Sequence, residues 1–199
     1  MKNVIISRNG PNSLHEEWLT NSKGNNWDLI LLFYDEEAFK KLQNLDCKSY
    51  FYPGGKWEAY FNFFKDYPEV INDYDFFWFA DDDISLEGIQ INKMFQSMSD
   101  YDLDIAQPSM TLDSYFSYLI TIQCETLKIR FTNFVEVMAP CLRKSLLKDM
   151  LPFFKDAFTG MGLDSIWTYK TRKESNKMAI LDEVAMTHTR PVGGPLHQK

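Results

Sequence analysis

The sequence predicts an α/β fold with a mostly parallel, doubly wound sheet, and three features carry that expectation. Short β-branched or aromatic runs alternate with segments of helical spacing through the first half of the chain. One run, Trp27 to Tyr34, is apolar almost throughout, as a parallel strand covered on both faces requires. The most hydrophobic stretch, Asp75 to Ala80, stops abruptly at Asp81-Asp82-Asp83. Right-handed crossovers wind such units into one sheet with helices on both sides, and ligands bind beyond the carboxyl ends of its strands.

Taken in order, Val4 to Ser7 reads as the first strand and Arg8-Asn9-Gly10-Pro11 as its loop. After the Trp27 strand, Ala38, Phe39, Leu42 and Leu45 give Glu36 to Leu45 helical spacing. Tyr50-Phe51-Tyr52 leads into Pro53-Gly54-Gly55-Lys56. Beyond it Trp57, Tyr60, Phe61, Phe64 and Tyr67 recur at threes and fours along a helix closed by Pro68. Past the three aspartates, Ser85 is placed to cap a helix carrying Leu86, Ile89, Met94, Phe95 and Met98. In the second half Ile105 and Thr132 to Met138 read as strands, Lys144 to Phe154 as an amphipathic helix and Met178 to Thr187 as a late strand. Tyr115 to Arg130 fits no element.

The 199 residues are 45 % hydrophobic and include sixteen Phe, ten Tyr and five Trp, enough for one substantial core, so residues 1–199 read as a single domain. The formal charge of −7 comes from acids and bases mixed along the chain, which argues against nucleic acid as a partner. A phosphate-bearing substrate needs local relief from that negative field, and a divalent cation supplies it. Cys47, Cys124 and Cys141 lack metal-ligand spacing and read as reduced core thiols. The first residues carry too short an apolar run for a signal peptide, and no later stretch approaches a membrane span, so the expected compartment is the cytoplasm, with peripheral contact to a membrane as an option.

Side chains two apart on extended chain point the same way, so Asp81 and Asp83 are expected to present both carboxylates to one hard cation, Mn2+ or Mg2+, with Asp82 turned elsewhere. The plainer reading is an acidic turn before a helix. Three adjacent like charges at the end of a buried aromatic strand cost stability unless a cation joins them, which favours the metal. An EF-hand loop starting at Asp81 fails because Leu86 stands where glycine is needed and Asn92 where an acid is needed. A haloacid-dehalogenase-type phosphohydrolase motif fits Asp81 to Ser85, but that motif closes a first strand, and here further strand–helix units precede it.

Three segments carry a family resemblance: Trp78-Phe79-Ala80-Asp81-Asp82-Asp83, Phe134-Val135-Glu136-Val137-Met138-Ala139-Pro140 and Gly160-Met161-Gly162-Leu163-Asp164. Together, and in this order, they resemble the GT-A nucleotide-sugar glycosyltransferases, nearest a poorly characterised group with these motifs. The resemblance implies a GT-A fold, with residues 1–110 as the nucleotide-sugar half and 111–199 as the acceptor half. It implies that Asp81 and Asp83 hold the metal, joined by His188, whose plainer reading is a strand-end imidazole. Asp164, otherwise an ordinary helix cap, is the expected proton acceptor for an inverting displacement. Arg8, Asp35, Lys56, Trp57 and Asp82 are expected on the donor side, Lys56 against phosphate and Trp57 by stacking, although Trp57 also reads as a core anchor. Glu136 and Met138 are expected on the acceptor side, with pairing of Glu136 to Arg130 or Arg143 as the alternative. His15 and His197 stand in weaker contexts. The implied donor is a UDP- or GDP-sugar and the implied acceptor a glycan or lipid-linked molecule. Phosphohydrolysis and nucleotide-sugar binding without catalysis remain open at this point.

Overall fold

The computed structural model describes residues 1–22, 24–42, 47–171 and 175–191. The expected helix end at Leu45 and the histidine at His197 lie outside these residues.

The elements in order are β1 (Asn3–Asn9), α1 (His15–Trp18), β2 (Trp27–Phe33), α2 (Glu36–Leu42), β3 (Lys48–Phe51), α3 (Lys56–Asp66), α4 (Val70–Asp73), β4 (Phe76–Trp78), β5 (Ile84–Ser85), α5 (Gly88–Asp100), β6 (Ile105–Met110), β7 (Arg130–Phe131), β8 (Cys141–Arg143), α6 (Lys144–Phe154), α7 (Leu163–Thr171) and β9 (Met178–His188). They build a nine-stranded sheet in the order β3-β2-β1-β4-β8-β6-β9-β5, with β7 also on β9.

The α/β class holds, but the sheet is mixed rather than mostly parallel. β3, β2, β1 and β4 pair in parallel, as do β6 and β9, whereas β8 lies antiparallel between β4 and β6, and β5 and β7 run antiparallel to β9. The cause is topological. The chain leaves β6, loops back across the carboxyl end of the sheet and enters β8 from that side, so β8 fills the gap between β4 and β6 in reverse.

Alternation along the central strands divides the core between two faces. Ile5 of β1 packs with Leu29, Leu31 and Phe33 of β2 and with α5 on one side; Val4 and Ile6 pack with Ile30, Leu32, α3 and α6 on the other. Three local expectations are corrected. Ser85 caps no helix: it lies in β5 and donates to the Glu17 carboxylate, while Glu87 precedes α5 without a side-chain cap. Residues 132–138 form no strand. Val135 and Glu136 are buried there, but their backbone polar groups go to side chains, Glu136 N–H to Gln107 Oε1 and the Val135 carbonyl to Trp167 Nε1. Of the three cysteines only Cys141 is a core thiol; Cys47 and Cys124 are half-buried.

β1 has β2 on one side and β4 on the other, so the sheet order reverses direction between β1 and β4. A crevice at that point, outside the strand ends, is where open α/β sheets place ligands. An isolated parallel bridge between Arg8 and Asp81 continues the β1–β4 pairing to that edge.

Candidate functional site

Asp81, Asp82 and Asp83 emerge from β4 at the switch point, and the chain turns there rather than staying extended, with Ile84 N–H returning to the Asp81 carbonyl. Two-residue periodicity therefore does not aim these side chains; their partners do. Asp81 Oδ1 sits 2.7 Å from Lys56 Nζ, which also donates to the Val137 and Met138 carbonyls at 2.9 and 2.8 Å. Asp82 is buried, accepts from Gly10 N–H at 2.8 Å and faces Arg190 at 3.4 Å. Asp83 faces His188 Nε2 at 3.3 Å, and its other oxygen, Oδ1, is buried without a hydrogen-bond partner.

The protonation of this cluster follows from its packing. Burial pushes the Asp81 carboxyl up, Lys56 pulls against it and Asp83 adds to the push. The Asp81 side chain keeps 34 % of its surface exposed, so solvent moderates that effect. Burial also drives Asp82 up to about 6, against the Gly10 amide and Arg190. For Asp83 burial works against ionisation, but His188 and Arg190 outweigh it and hold the group below the ordinary carboxylate range. His188 moves the opposite way: burial lowers it, Asp83 more than compensates, and its pKa is raised.

His188 ends β9, and the β5–β9 register sets it opposite Ile84, next to Asp83. Its Nδ1 lies 2.5 Å from the Tyr115 carbonyl, which can only accept, so Nδ1 carries a proton. Nε2 and Asp83 Oδ2 then face each other with lone pairs unless a cation lies with them, either a proton or a metal. Together with the orphaned Asp83 Oδ1 and the adjacent Asp81 carboxylate, this hard oxygen and imidazole donor set suits Mn2+ or Mg2+. Among the described residues, no three His, Cys, Asp or Glu side chains already converge as a cation cage.

The remaining expected residues divide. Arg8 is buried and donates to the Leu32, Tyr52 and Gly54 carbonyls, so it pins the loop before α3. Asp35 Oδ1 accepts from Ala38 N–H at the start of α2. Trp57 is fully buried among Tyr60, Phe79, Phe154 and Trp167 and offers no ring face for a base: it is a core residue. Met138 is buried too, and its carbonyl, which accepts from Lys56 and from Asp81 N–H, is what it brings to the site. Gly55 and Gly160 serve packing: a Cβ on Gly55 would lie 2.6 Å from the Phe158 carbonyl, and one on Gly160 2.4 Å from Trp57 Nε1.

Glu136 pairs with neither arginine, since Arg130 is taken by Asp182, and Arg143 by Asp102 and Asp104. It is buried, with Oε2 unpartnered, and burial lifts its carboxyl to about 7 among the charges of His188, Asp81, Lys56 and Asp164. Asp164 is half-exposed in the first turn of α7, and its Oδ1 accepts from Ser165 N–H. His15 is turned inward, with Nδ1 against Ser13 and Asn9.

Arg190 escaped the sequence reading. It donates to the Asn12 carbonyl at 2.5 Å and reaches Asp82 and Asp83 at 3.4 and 4.0 Å, tying the end of β9 to the β1 loop. Its position two residues after His188 was the available signal. A surface hollow lies elsewhere, beside Leu19, Asn21, Ser22 and Ile89, and these lining residues carry no group suited to chemistry.

The family described as "Protein of unknown function (DUF707)" matches residues 15–193. No curated protein matches the sequence. Among solved structures, residues 1–349 of S. aureus TarS in complex with UDP-GlcNAc superpose with a TM-score of 0.68 at 14 % identity, covering 100 % of this chain and 61 % of TarS 1–349. The same protein in complex with UDP gives 0.61 at 13 % identity over 94 % of this chain and 59 % of that one. The chain thus spans about three fifths of these structures, and at this identity the likeness is one of fold.

Proposed function

The chain belongs to the DUF707 family, and from that premise we propose that it is a glycosyltransferase that uses a nucleotide-diphosphate sugar and a divalent cation. One observation carries the reading. The Asp83–His188 pair, 3.3 Å apart and needing a proton or a metal ion between them, and the neighbouring Asp81 stand at the switch point of a fold like that of a chain solved with UDP-GlcNAc. The absence of any membrane-crossing helix among the described residues is compatible with a UDP- or GDP-sugar donor met in water.

In this reading Asp81, Asp83 and His188 hold Mn2+ or Mg2+, the last oriented by the Tyr115 carbonyl. The cation, when bound, offsets charge on the departing nucleotide diphosphate. Residues 1–110 carry the donor: Asp82 fixes the Gly10 turn, Arg8 shapes the loop before α3, and Lys56, with Arg190 from the end of β9, would face the diphosphate. Residues 111–199 receive the acceptor, a glycan or a lipid-linked one, whose hydroxyl meets the unpartnered Glu136 oxygen. The hydroxyl oxygen attacks the anomeric carbon as the carbon–oxygen bond to the diphosphate breaks, and Asp164 takes the hydroxyl proton, giving inversion.

The test is a thermal-shift series with UDP, GDP and their sugars, with and without Mn2+, followed by turnover. A Mn2+-dependent rise in melting temperature with one nucleotide diphosphate is expected, and Asp81→Asn with Asp83→Asn removes it. A rise that persists in the double variant defeats this site. Release of nucleotide diphosphate identifies transfer; release of inorganic phosphate from small esters instead favours a phosphohydrolase, and binding without turnover a non-catalytic protein.

A further inference from the structure

We propose that the loop running from Met110 to Ile122 is a membrane-contact element that rests on a zwitterionic lipid surface. The inference stands on this surface alone and does not depend on the transferase reading.

The loop is closed and firmly rooted. Met110 and Ile122 form a bridge, and Gln123 N–H returns to the Met110 carbonyl, so its ends are adjacent, as in a compact surface loop. Thr111 N–H reaches the Met186 carbonyl, Tyr115 N–H reaches the His188 carbonyl, and Thr111 Oγ1 meets Thr187 Oγ1. Its far root is held by buried Asp182, which accepts from Cys124 N–H and from Arg130. A loop anchored this well has no need of apolar side chains at its tip for its own folding.

Yet the tip is apolar. Leu112 is 82 % exposed and Leu119 79 %, and Tyr115, Phe116, Tyr118 and Ile120 are exposed with them. Among the described residues, Tyr118 alone of these rings has a ring neighbour, Phe134 at 4.6 Å. Scattered exposed apolar residues are ordinary, but a near-continuous run on one loop marks a contact surface.

The chemistry of the run points to lipid. From Ser114 to Cys124 no residue is charged, and the charges that flank the run, Asp113 and Glu125, are both acidic. Tyrosines and phenylalanine interleaved with leucine and isoleucine match the boundary between headgroups and acyl chains, where a ring sits with its hydroxyl toward water. A loop tip is convex, and inserts into a soft surface without needing a groove. The chain's formal charge of −7 opposes an anionic bilayer, which leaves a zwitterionic surface as the complementary one. Tyr115 places the element beside His188, so a bilayer met here lies at the mouth of the candidate site.

The experiment is co-sedimentation with sucrose-loaded vesicles of phosphatidylcholine, alone and with roughly one third phosphatidylglycerol. The wild-type chain is expected to partition onto phosphatidylcholine, and Leu119→Asp with Ile120→Asp to lower that partitioning by about tenfold or more. The milder pair Leu119→Ala with Ile120→Ala is expected to give an intermediate loss, and unchanged melting temperatures show that the variants remain folded. No binding to phosphatidylcholine overturns the proposal. So does binding that needs phosphatidylglycerol and survives the aspartate pair, which would be an electrostatic face elsewhere. Sedimentation that reveals a dimer dissolved by the same substitutions, without vesicle binding, assigns the loop to a second copy instead.

Discussion

Lys56 makes the most of any single side chain at the site, and removing it separates two jobs. Its ammonium lies 2.7 Å from Asp81, donates to the Val137 and Met138 carbonyls, and sits over the Trp57 ring at 5.3 Å. Two hydrogen bonds from a charged donor contribute about 1.5 kcal/mol each at the low end. The ion pair, with Asp81 a third exposed, adds no more than about 1 kcal/mol. Lys56→Met keeps the stem's packing and loses the head, so it is expected to cost about 3 kcal/mol. Asp81→Asn leaves both carbonyl bonds in place and relieves repulsion with Asp83, so it should fall within about 1 kcal/mol of wild type. Urea unfolding followed by circular dichroism, with unchanged slopes, measures both. If Asp81→Asn costs as much as Lys56→Met, the Asp81 carboxylate is a structural ligand of Lys56, and the argument that it is available to a cation collapses.

Three further outcomes test other parts of the structure. Gly160 has φ +79°, and a Cβ there would meet Trp57 Nε1 at 2.4 Å, so Gly160→Ala should cost about 2–4 kcal/mol; Gly162→Ala, at φ +90° with open space, should cost only about 1, and equal costs would refute the packing argument. The folded pKa of Glu136, about 7, lies above its ordinary 4.5, so its contribution to stability is fully present below pH 4.5 and is lost as pH rises through 7. Wild type should therefore lose about 2–3 kcal/mol relative to Glu136→Gln between pH 4.5 and 7.5, and parallel stability curves would show that the group titrates normally. Arg190→Met should weaken the Mn2+-dependent thermal shift by a nucleotide diphosphate several-fold in concentration while moving the unliganded melting temperature by only a few degrees, because its guanidinium is partly exposed and its pairs are long; an unchanged midpoint would remove it from the donor side.

Much of the fold was legible because its signals are local. β2 is a buried apolar run, α3 and α6 repeat at helical spacing, and the observed bounds of α6 are those the sequence suggests, Lys144 to Phe154. The direction of β8 was not legible, because Cys141-Leu142-Arg143 is too short to carry a pattern and pairs with β4 and β6, both remote in sequence. The segment 132–138 misled for another reason: its apolar residues give it a strand's composition, while Val135 and Glu136 at its centre bond to side chains that no periodicity reveals. At the site, the acidic cluster announced itself as a cluster. The partner of each acid did not, since Gly10, Lys56, His188 and Arg190 come from three separate stretches of chain.

That same irregular segment decides how the two sides of the site communicate. Residues 132–140 are fastened by partners from all around: Thr168 donates to the Asn133 carbonyl, Trp167 to Val135, Lys56 to Val137 and Met138, and Trp78 to Ala139, while Gln107 Oε1 accepts from Glu136 N–H. A ladder strand would be held by its neighbours alone and would be indifferent to the charge of the site. This one takes two of its bonds from the ammonium that also holds Asp81, and its own Glu136 lies within reach of the charges of Asp81 and His188. Any slackening of Lys56 at Asp81 is felt at the Val137 and Met138 carbonyls, beside Glu136. The Asp81 side and the Glu136 side of the site are therefore linked through one side chain.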